Sequence, residues 1–141
     1  MPRVVLDTNI LVSATLVPEG RQAQIVEAFE AGLFELVASD SILEEYIDVI
    51  RRPRITRKHP DAARRSEELL LAIQARAVMV SGITMRRYVL SDPEDDMIVA
   101  CALEGKAEFV VSGDSHLTSL ETIRGVRIRT PKQFVEEVLN Q

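Results

Sequence analysis

Short apolar runs alternate along this chain with longer stretches in which apolar side chains return at helical spacing. Val4-Val5-Leu6, Phe34-Glu35-Leu36-Val37, Ala77-Val78-Met79-Val80, Phe109-Val110-Val111 and Val126-Arg127-Ile128 have strand length and β-branched content. Between them, residues 21–31, 41–51, 61–75, 94–104 and 131–139 carry a helical repeat. Ile25, Val26, Phe29 and Leu33 mark it in the first, and Phe134, Val135, Val138 and Leu139 in the last. Residues 9–16 (NILVSATL) fit either a continued strand or a short helix. Val17-Pro18-Glu19-Gly20 and Ser81-Gly82 punctuate the pattern. Such alternation predicts an α/β fold with a mainly parallel sheet covered on both faces, a three-layer α/β/α sandwich. No internal repeat or long linker interrupts it, so residues 1–141 read as one domain.

Composition agrees. The chain has 141 residues, 46% apolar and 28% charged, which suits one globular domain and excludes a disordered chain. No apolar stretch approaches the roughly 18 residues of a membrane span. Met1-Pro2-Arg3-Val4-Val5-Leu6-Asp7 holds too short an apolar run for a signal peptide. A lone Cys101 within an apolar run cannot form an internal bridge and fits packing in a reducing cytosol, so a cytoplasmic location is expected. The net charge of −5 is unevenly spread. Residues 51–65 (RRPRITRKHPDAARR) hold seven Lys and Arg against Asp61 alone, leaving the rest of the chain strongly acidic. One dense basic segment on an acidic protein is either a solvated face or a landing place for a polyanion.

The acids fall at informative places. Val4-Val5-Leu6 runs directly into Asp7-Thr8-Asn9, and Phe109-Val110-Val111 into Ser112-Gly113-Asp114. Each carboxylate could simply close a turn or cap a helix. In a sheet covered on both faces, however, two acids at strand carboxyl ends can face one crevice, where α/β proteins bind ligands. Ser41-Ile42-Leu43-Glu44 fits a capping box that gives Glu44 a structural role. On the wheel of that helix Glu44 and Asp48 lie opposite the apolar arc, whereas Glu45 sits at its edge and can lean over a cleft. Ser91-Asp92-Pro93-Glu94-Asp95-Asp96 carries four acids in five positions before an almost wholly apolar helix. Asp92 and Pro93 suit the cap and first helical position, and acids there favour the helix dipole. Four adjacent carboxylates exceed what capping requires. Asp95 shares a face with Ile98, Val99 and Ala102, and Asp96 is its close competitor.

Clustered carboxylates beside a low-dielectric wall need a counter-charge. His59 and His116 form no ligand-like pair, and no Cys/His zinc spacing exists. A hard divalent cation, Mg²⁺ or Mn²⁺, is the natural partner of oxygen ligands, and one or two such ions suit phosphoryl chemistry. No phosphate-binding glycine loop, dinucleotide turn or nucleophile elbow is present.

These four segments, in this order, resemble the PIN-domain family. The residues concerned are Val4-Val5-Leu6-Asp7-Thr8-Asn9-Ile10-Leu11-Val12-Ser13-Ala14, Glu45-Tyr46-Ile47-Asp48-Val49-Ile50-Arg51-Arg52-Pro53, Asp92-Pro93-Glu94-Asp95-Asp96 and Val110-Val111-Ser112-Gly113-Asp114. The nearest resemblance is to VapC-like ribonucleases, the toxins of toxin–antitoxin pairs, and it extends from residue 4 to about residue 138. The resemblance implies a parallel sheet of about five strands and metal-dependent cleavage of RNA to a 5′-phosphate and a 3′-hydroxyl. Carried over by motif, the acids fall on Asp7, Glu45, Asp95 and Asp114, with Asp92 and Asp96 as alternatives to the third. Asp7, Asp95 and Asp114 would hold Mg²⁺ or Mn²⁺; Glu45 would complete the shell or orient the attacking water. Asn9 and Ser112 would orient the carboxylates. Arg51, Arg52, Arg54, Arg57 and Lys58 are expected to contact RNA phosphates, giving salt-sensitive binding. The family also implies a homodimer; a sequestering antitoxin that inserts an Arg among the acids would explain their clustering equally well. Two other readings fit the same acids: a non-catalytic nucleic-acid- or protein-binding module, and a metal-dependent phosphatase of small substrates.

Overall fold

The computed structural model describes residues 1–82 and 93–140. Its centre is the most apolar run of the chain. β1 (Arg3–Leu6) is flanked by β2 (Glu35–Ser39) and β4 (Phe109–Val111), and Val4, Val5 and Leu6 are buried to within 1% of completely. β3 (Val78–Val80) lies outside β2, and β6 (Val126–Arg129) outside β4. These strands are all parallel, as runs buried on both faces require. A sixth strand, β5 (Thr122–Ile123), joins the β6 edge antiparallel through a turn in which Arg124 and Gly125 both take positive φ (48° and 85°). That pairing of left-handed residues matches the twist of a tight hairpin. The order β3-β2-β1-β4-β6-β5, flanked by helices, is the predicted α/β/α sandwich with one short edge strand added.

The ambiguous segment 9–16 is a helix, α1 (Thr8–Leu16), separated from β1 by a single residue. Asp7 is therefore both the residue that follows the strand and the helix N-cap. α2 (Arg21–Glu30), α3 (Asp40–Ile50), α5 (Ala62–Arg76) and α6 (Pro93–Glu104) fall where the periodicity places them. The predicted helix 131–139 is α8 (Pro131–Phe134) passing into a π-helical turn, Val135–Leu139. Two short helices are additional: α4 (Pro53–Lys58) and α7 (Ser115–Thr118). One local expectation is corrected. α3 is capped by Ser39, whose hydroxyl accepts from the Ile42 N–H at 3.4 Å, and not by a box at Ser41 and Glu44. The chain passes from extended Ser39 straight into the helix, so Ser41 is already inside its first turn.

Packing separates the two ends of the sheet. Phe29, Phe34, Phe109 and Phe134, every phenylalanine of the chain, form one cluster of tilted and edge-to-face rings with centroids 5.5–6.2 Å apart. Phe34 precedes β2 and Phe109 begins β4, so this cluster stands at the amino ends of the strands. The carboxyl ends are left to polar groups. α6 packs across β1, β2 and β4. Its end is tied down twice: Gly105 lies against Val37, and the Glu104 carboxylate accepts from the Gly82 N–H at 2.7 Å and from the Ser81 hydroxyl. No helix among the described residues is long and apolar enough to cross a membrane.

Candidate active site

At the carboxyl edge of the sheet the connections from β1 and from β4 leave on opposite sides. This is the switch point where an α/β sheet opens a crevice. Asp7 and Ser112 face each other across it because β1 and β4 are neighbours. The Asp7 N–H donates to Val111 O at 3.0 Å, and the Ser112 hydroxyl donates to Asp7 Oδ2 at 2.6 Å. Ser112 is fully buried and also serves the neighbouring acid, since its Oγ accepts the Asp114 N–H at 3.0 Å. Asp114 then caps α7 through its Oδ1, which accepts the His116 N–H at 2.9 Å. One hydroxyl thus joins two strand-end acids.

Glu45 reaches the same place from α3. It is half-buried, while Glu44 and Asp48 are exposed, as the helical wheel predicts. Its Oε2 accepts a hydrogen bond from the Thr8 hydroxyl at 3.1 Å. Thr8, to which the sequence pattern assigns no role, is the residue next to Asp7 and is 3% exposed. A hydroxyl at the first helical position after a strand-end acid is the signal that identifies it. Asn9 behaves differently: its side chain is exposed, and only its backbone N–H reaches Asp7, at a long 3.5 Å.

On α6, Asp95 and Asp96 are both buried, 4% and 6% exposed, and Glu94 lies at the surface beside them. Burial does not choose between the two aspartates. Asp92 lies outside the described residues.

The electrostatics tie these groups together. Burial pushes the Asp7 carboxyl above the ordinary carboxylate range; the bonds from Ser112 and Asn9 pull it back, and the charge of Asp114 raises it again. Glu45 is raised first by burial and then by the charge of Glu94, with Asp7 adding to it; Thr8 and Arg52 oppose. Asp7 therefore feels the charge of Asp114, and Glu45 those of Glu94 and Asp7, which Arg52 partly offsets. The donors are hard oxygens of like sign, the set that a Mg²⁺ or Mn²⁺ ion satisfies. Among the described residues, no three acidic, histidine or cysteine side chains stand close enough to enclose an ion without rearrangement. The geometry is a loose acidic ring around the crevice, linked by Ser112 and Thr8.

The basic segment emerges from the far end of α3. Arg51, Arg52, Arg54, Arg57 and Lys58 are all exposed. Arg52 pairs with Asp48 at 3.2 Å; Arg51, Arg54, Arg57 and Lys58 make no ion pair among the described residues. Arg64 and Arg65 are different, engaged by Asp61, Glu68 and the carbonyl of Thr15.

Comparison with known proteins bears on the family and the fold. Residues 3–116 match the family model described as a PIN domain. The chain is 29% identical over 143 aligned positions to the uncharacterized protein MJ1680 of Methanocaldococcus jannaschii, covering 96% of this chain and 90% of that protein. Its fold is similar to a chain in the crystal structure of VapBC2 from Rickettsia felis bound to a DNA fragment from their promoter. There the TM-score is 0.58 at 13% identity, covering 91% of this chain and 98% of the other.

Proposed function

This chain belongs to the PIN-domain family, whose members are generally nucleases, and from that premise we propose that it is a Mg²⁺- or Mn²⁺-dependent endoribonuclease. The carrying observation is the meeting of Asp7, Glu45 and Asp114 at one crevice through Ser112 and Thr8, with Arg52 linking it to an exposed basic helix. Asp7, Asp114 and one of the α6 aspartates, Asp95 in the first instance, would hold the ion. Bound there, a divalent cation supplies positive charge to phosphate oxygens and acidifies a water.

The chain's own groups have separable roles. Ser112 and Thr8 fix the orientation of Asp7 and Glu45. Glu45, the more accessible of that pair, orients the attacking water and takes its proton. Attack in line on phosphorus breaks the bond to the 3′ oxygen, leaving a 5′-phosphate and a 3′-hydroxyl. Arg51, Arg54, Arg57 and Lys58 hold flanking phosphates. With aromatic residues at 4% and no Trp, contact with the backbone and its shape outweighs stacking.

The test is RNA cleavage by the purified protein with Mg²⁺, Mn²⁺ or EDTA. Cleavage should require the metal and be lost in Asp7→Asn; undiminished cleavage by that variant removes the assignment. Triple replacement of Arg54, Arg57 and Lys58 by Ala should weaken RNA binding and flatten its salt dependence, by about 0.7 in log–log slope for each phosphate no longer neutralised. We further propose that the chain is the toxin of a toxin–antitoxin pair, neutralised by a partner that places an Arg among the acids. Calorimetric capture of an Arg-bearing peptide by wild type, lost in Asp7→Asn, would support this; equal capture by both would oppose it.

A further inference from the structure

Next to the acids, where β6 ends, the structure holds a second polar cavity of about 520 Å³. It is reached from the crevice through α7: Asp114 caps that helix and Ser115, its first residue, lines the cavity. The opposite wall is Arg129 at the carboxyl end of β6, whose carbonyl accepts the Ser112 N–H at 3.0 Å. The cavity and the acid crevice are consecutive openings along one edge of the sheet.

Its chemistry differs from that of the crevice. Arg129 is held by Glu137 at 2.8 Å and by the carbonyls of Glu121 and Ile128, bonds that employ Nε and Nη1. Nη2 takes no part in them. The Gln133 Oε1 closes a capping box with Thr130, which leaves the amide Nε2 unused. The hydroxyls of Ser115 and Thr122 make no hydrogen bond among the described residues. Free donors and hydroxyls thus face the carboxylates of Glu121 and Glu137 above the buried side chain of Ile128. Two acids against one already paired arginine disfavour a phosphate. A neutral planar group with donors and acceptors on one edge fits instead, and the volume lies within the usual range for small-ligand sites.

We propose that this cavity receives one unpaired nucleobase of the RNA strand, beside the phosphate at the acids, and that Arg129, Gln133 and Thr122 read it. The inference rests on the ribonuclease reading. It makes the cavity the source of sequence preference and α4 the source of general affinity. Single-stranded RNA is read in this manner, by hydrogen bonds to the edge of a splayed base.

The experiment titrates the full chain, in EDTA, with the four uncharged ribonucleosides, and repeats this with Gln133→Ala and Thr122→Val. These exposed positions are chosen because replacing the half-buried Arg129 could disturb the fold. One ribonucleoside should bind about tenfold more tightly than the others, with that preference reduced to near equality in both variants. Equal binding of all four by wild type, or an unchanged preference in both variants, overturns the proposal. Mapping of RNA cleavage sites separates the two ideas. Cleavage with the same flanking base in wild type and variants overturns the cavity's role and leaves the nuclease reading intact. Selective binding without any RNA cleavage sustains the cavity and removes the nuclease reading.

Discussion

Replacing Ser112 by Ala removes one oxygen and two hydrogen bonds: the donation to Asp7 Oδ2 at 2.6 Å and the acceptance from the Asp114 N–H at 3.0 Å. Ser112 is fully buried, so no water enters freely to replace it. A hydrogen bond to a charged group contributes about 1.5–3 kcal/mol. The loss depends on whether Asp7 carries its charge. Burial already lifts the Asp7 carboxyl above 3.8, and Ser112 is the strongest force lowering it, so the variant's carboxyl moves further up. A group whose folded pKa is raised contributes its stability below the unfolded value and loses it as pH rises through the folded value. Ser112→Ala should therefore cost about 1.5–3 kcal/mol at pH values where Asp7 is ionised, and visibly less at lower pH, once its carboxyl is protonated. Urea unfolding of the metal-free protein at several pH values measures this directly.

The same substitution should weaken Mn²⁺ binding, read by calorimetry, about 10- to 100-fold, the usual consequence of removing a group that orients a ligand. On the proposed assignment proton and metal compete for Asp7, so half-saturation at fixed Mn²⁺ should move to higher pH. Ser112→Thr keeps the hydroxyl and should restore most of both properties. A destabilisation that is the same in acid and at neutrality, together with unaltered Mn²⁺ affinity, would refute the coupling of Ser112 to Asp7.

Asp7→Asn should stabilise the metal-free protein near neutrality while abolishing its stabilisation by Mn²⁺, because the amide keeps an acceptor and carries no charge to desolvate; thermal melts with and without the ion decide it. Tyr46→Phe removes a buried hydroxyl bonded to Thr15 Oγ1 at 2.5 Å, between α3 and α1, and should cost about 1–2 kcal/mol in urea. Gly105→Ala drives a Cβ into Val37 Cγ1 and should cost about 1–3 kcal/mol, with recovery in the double variant carrying Val37→Ala.

The parts of this molecule legible in its sequence are those set by short-range pattern. Val4-Val5-Leu6 and Phe109-Val110-Val111 read as buried strands because they are apolar on both faces, and the acid after each can be located to the residue. The wheel of α3 separates Glu45 from Glu44 for the same reason. Segment 9–16 is ambiguous, since an apolar run of eight residues has no period of its own; Asp7 decides it by capping a helix that starts inside the turn. β5 escapes because two residues, one of them exposed, leave no alternation to read. Thr8 and the double bonding of Ser112 escape for another reason. They join positions 37 and 105 residues apart, and only the neighbouring of β1 with β4 and α3 creates them.

That distance in sequence also explains how an acidic protein could handle RNA. The crevice concentrates like charges, and by itself it repels a phosphate. The exposed cations of the basic segment lie instead on α4, a helix with no buried residue attached to the crevice through α3, and on the residues leading into it. On the proposed reading, attraction and chemistry are carried by different elements, and each should be alterable without the other. Loss of the α4 cations should act on affinity through salt and leave the order of preferred bases unchanged. Loss of Ser112 should act on metal and proton affinity at constant salt slope. A variant of α4 that changed the metal requirement would show that the two elements are not separable, and the division of labour drawn from their placement would fall.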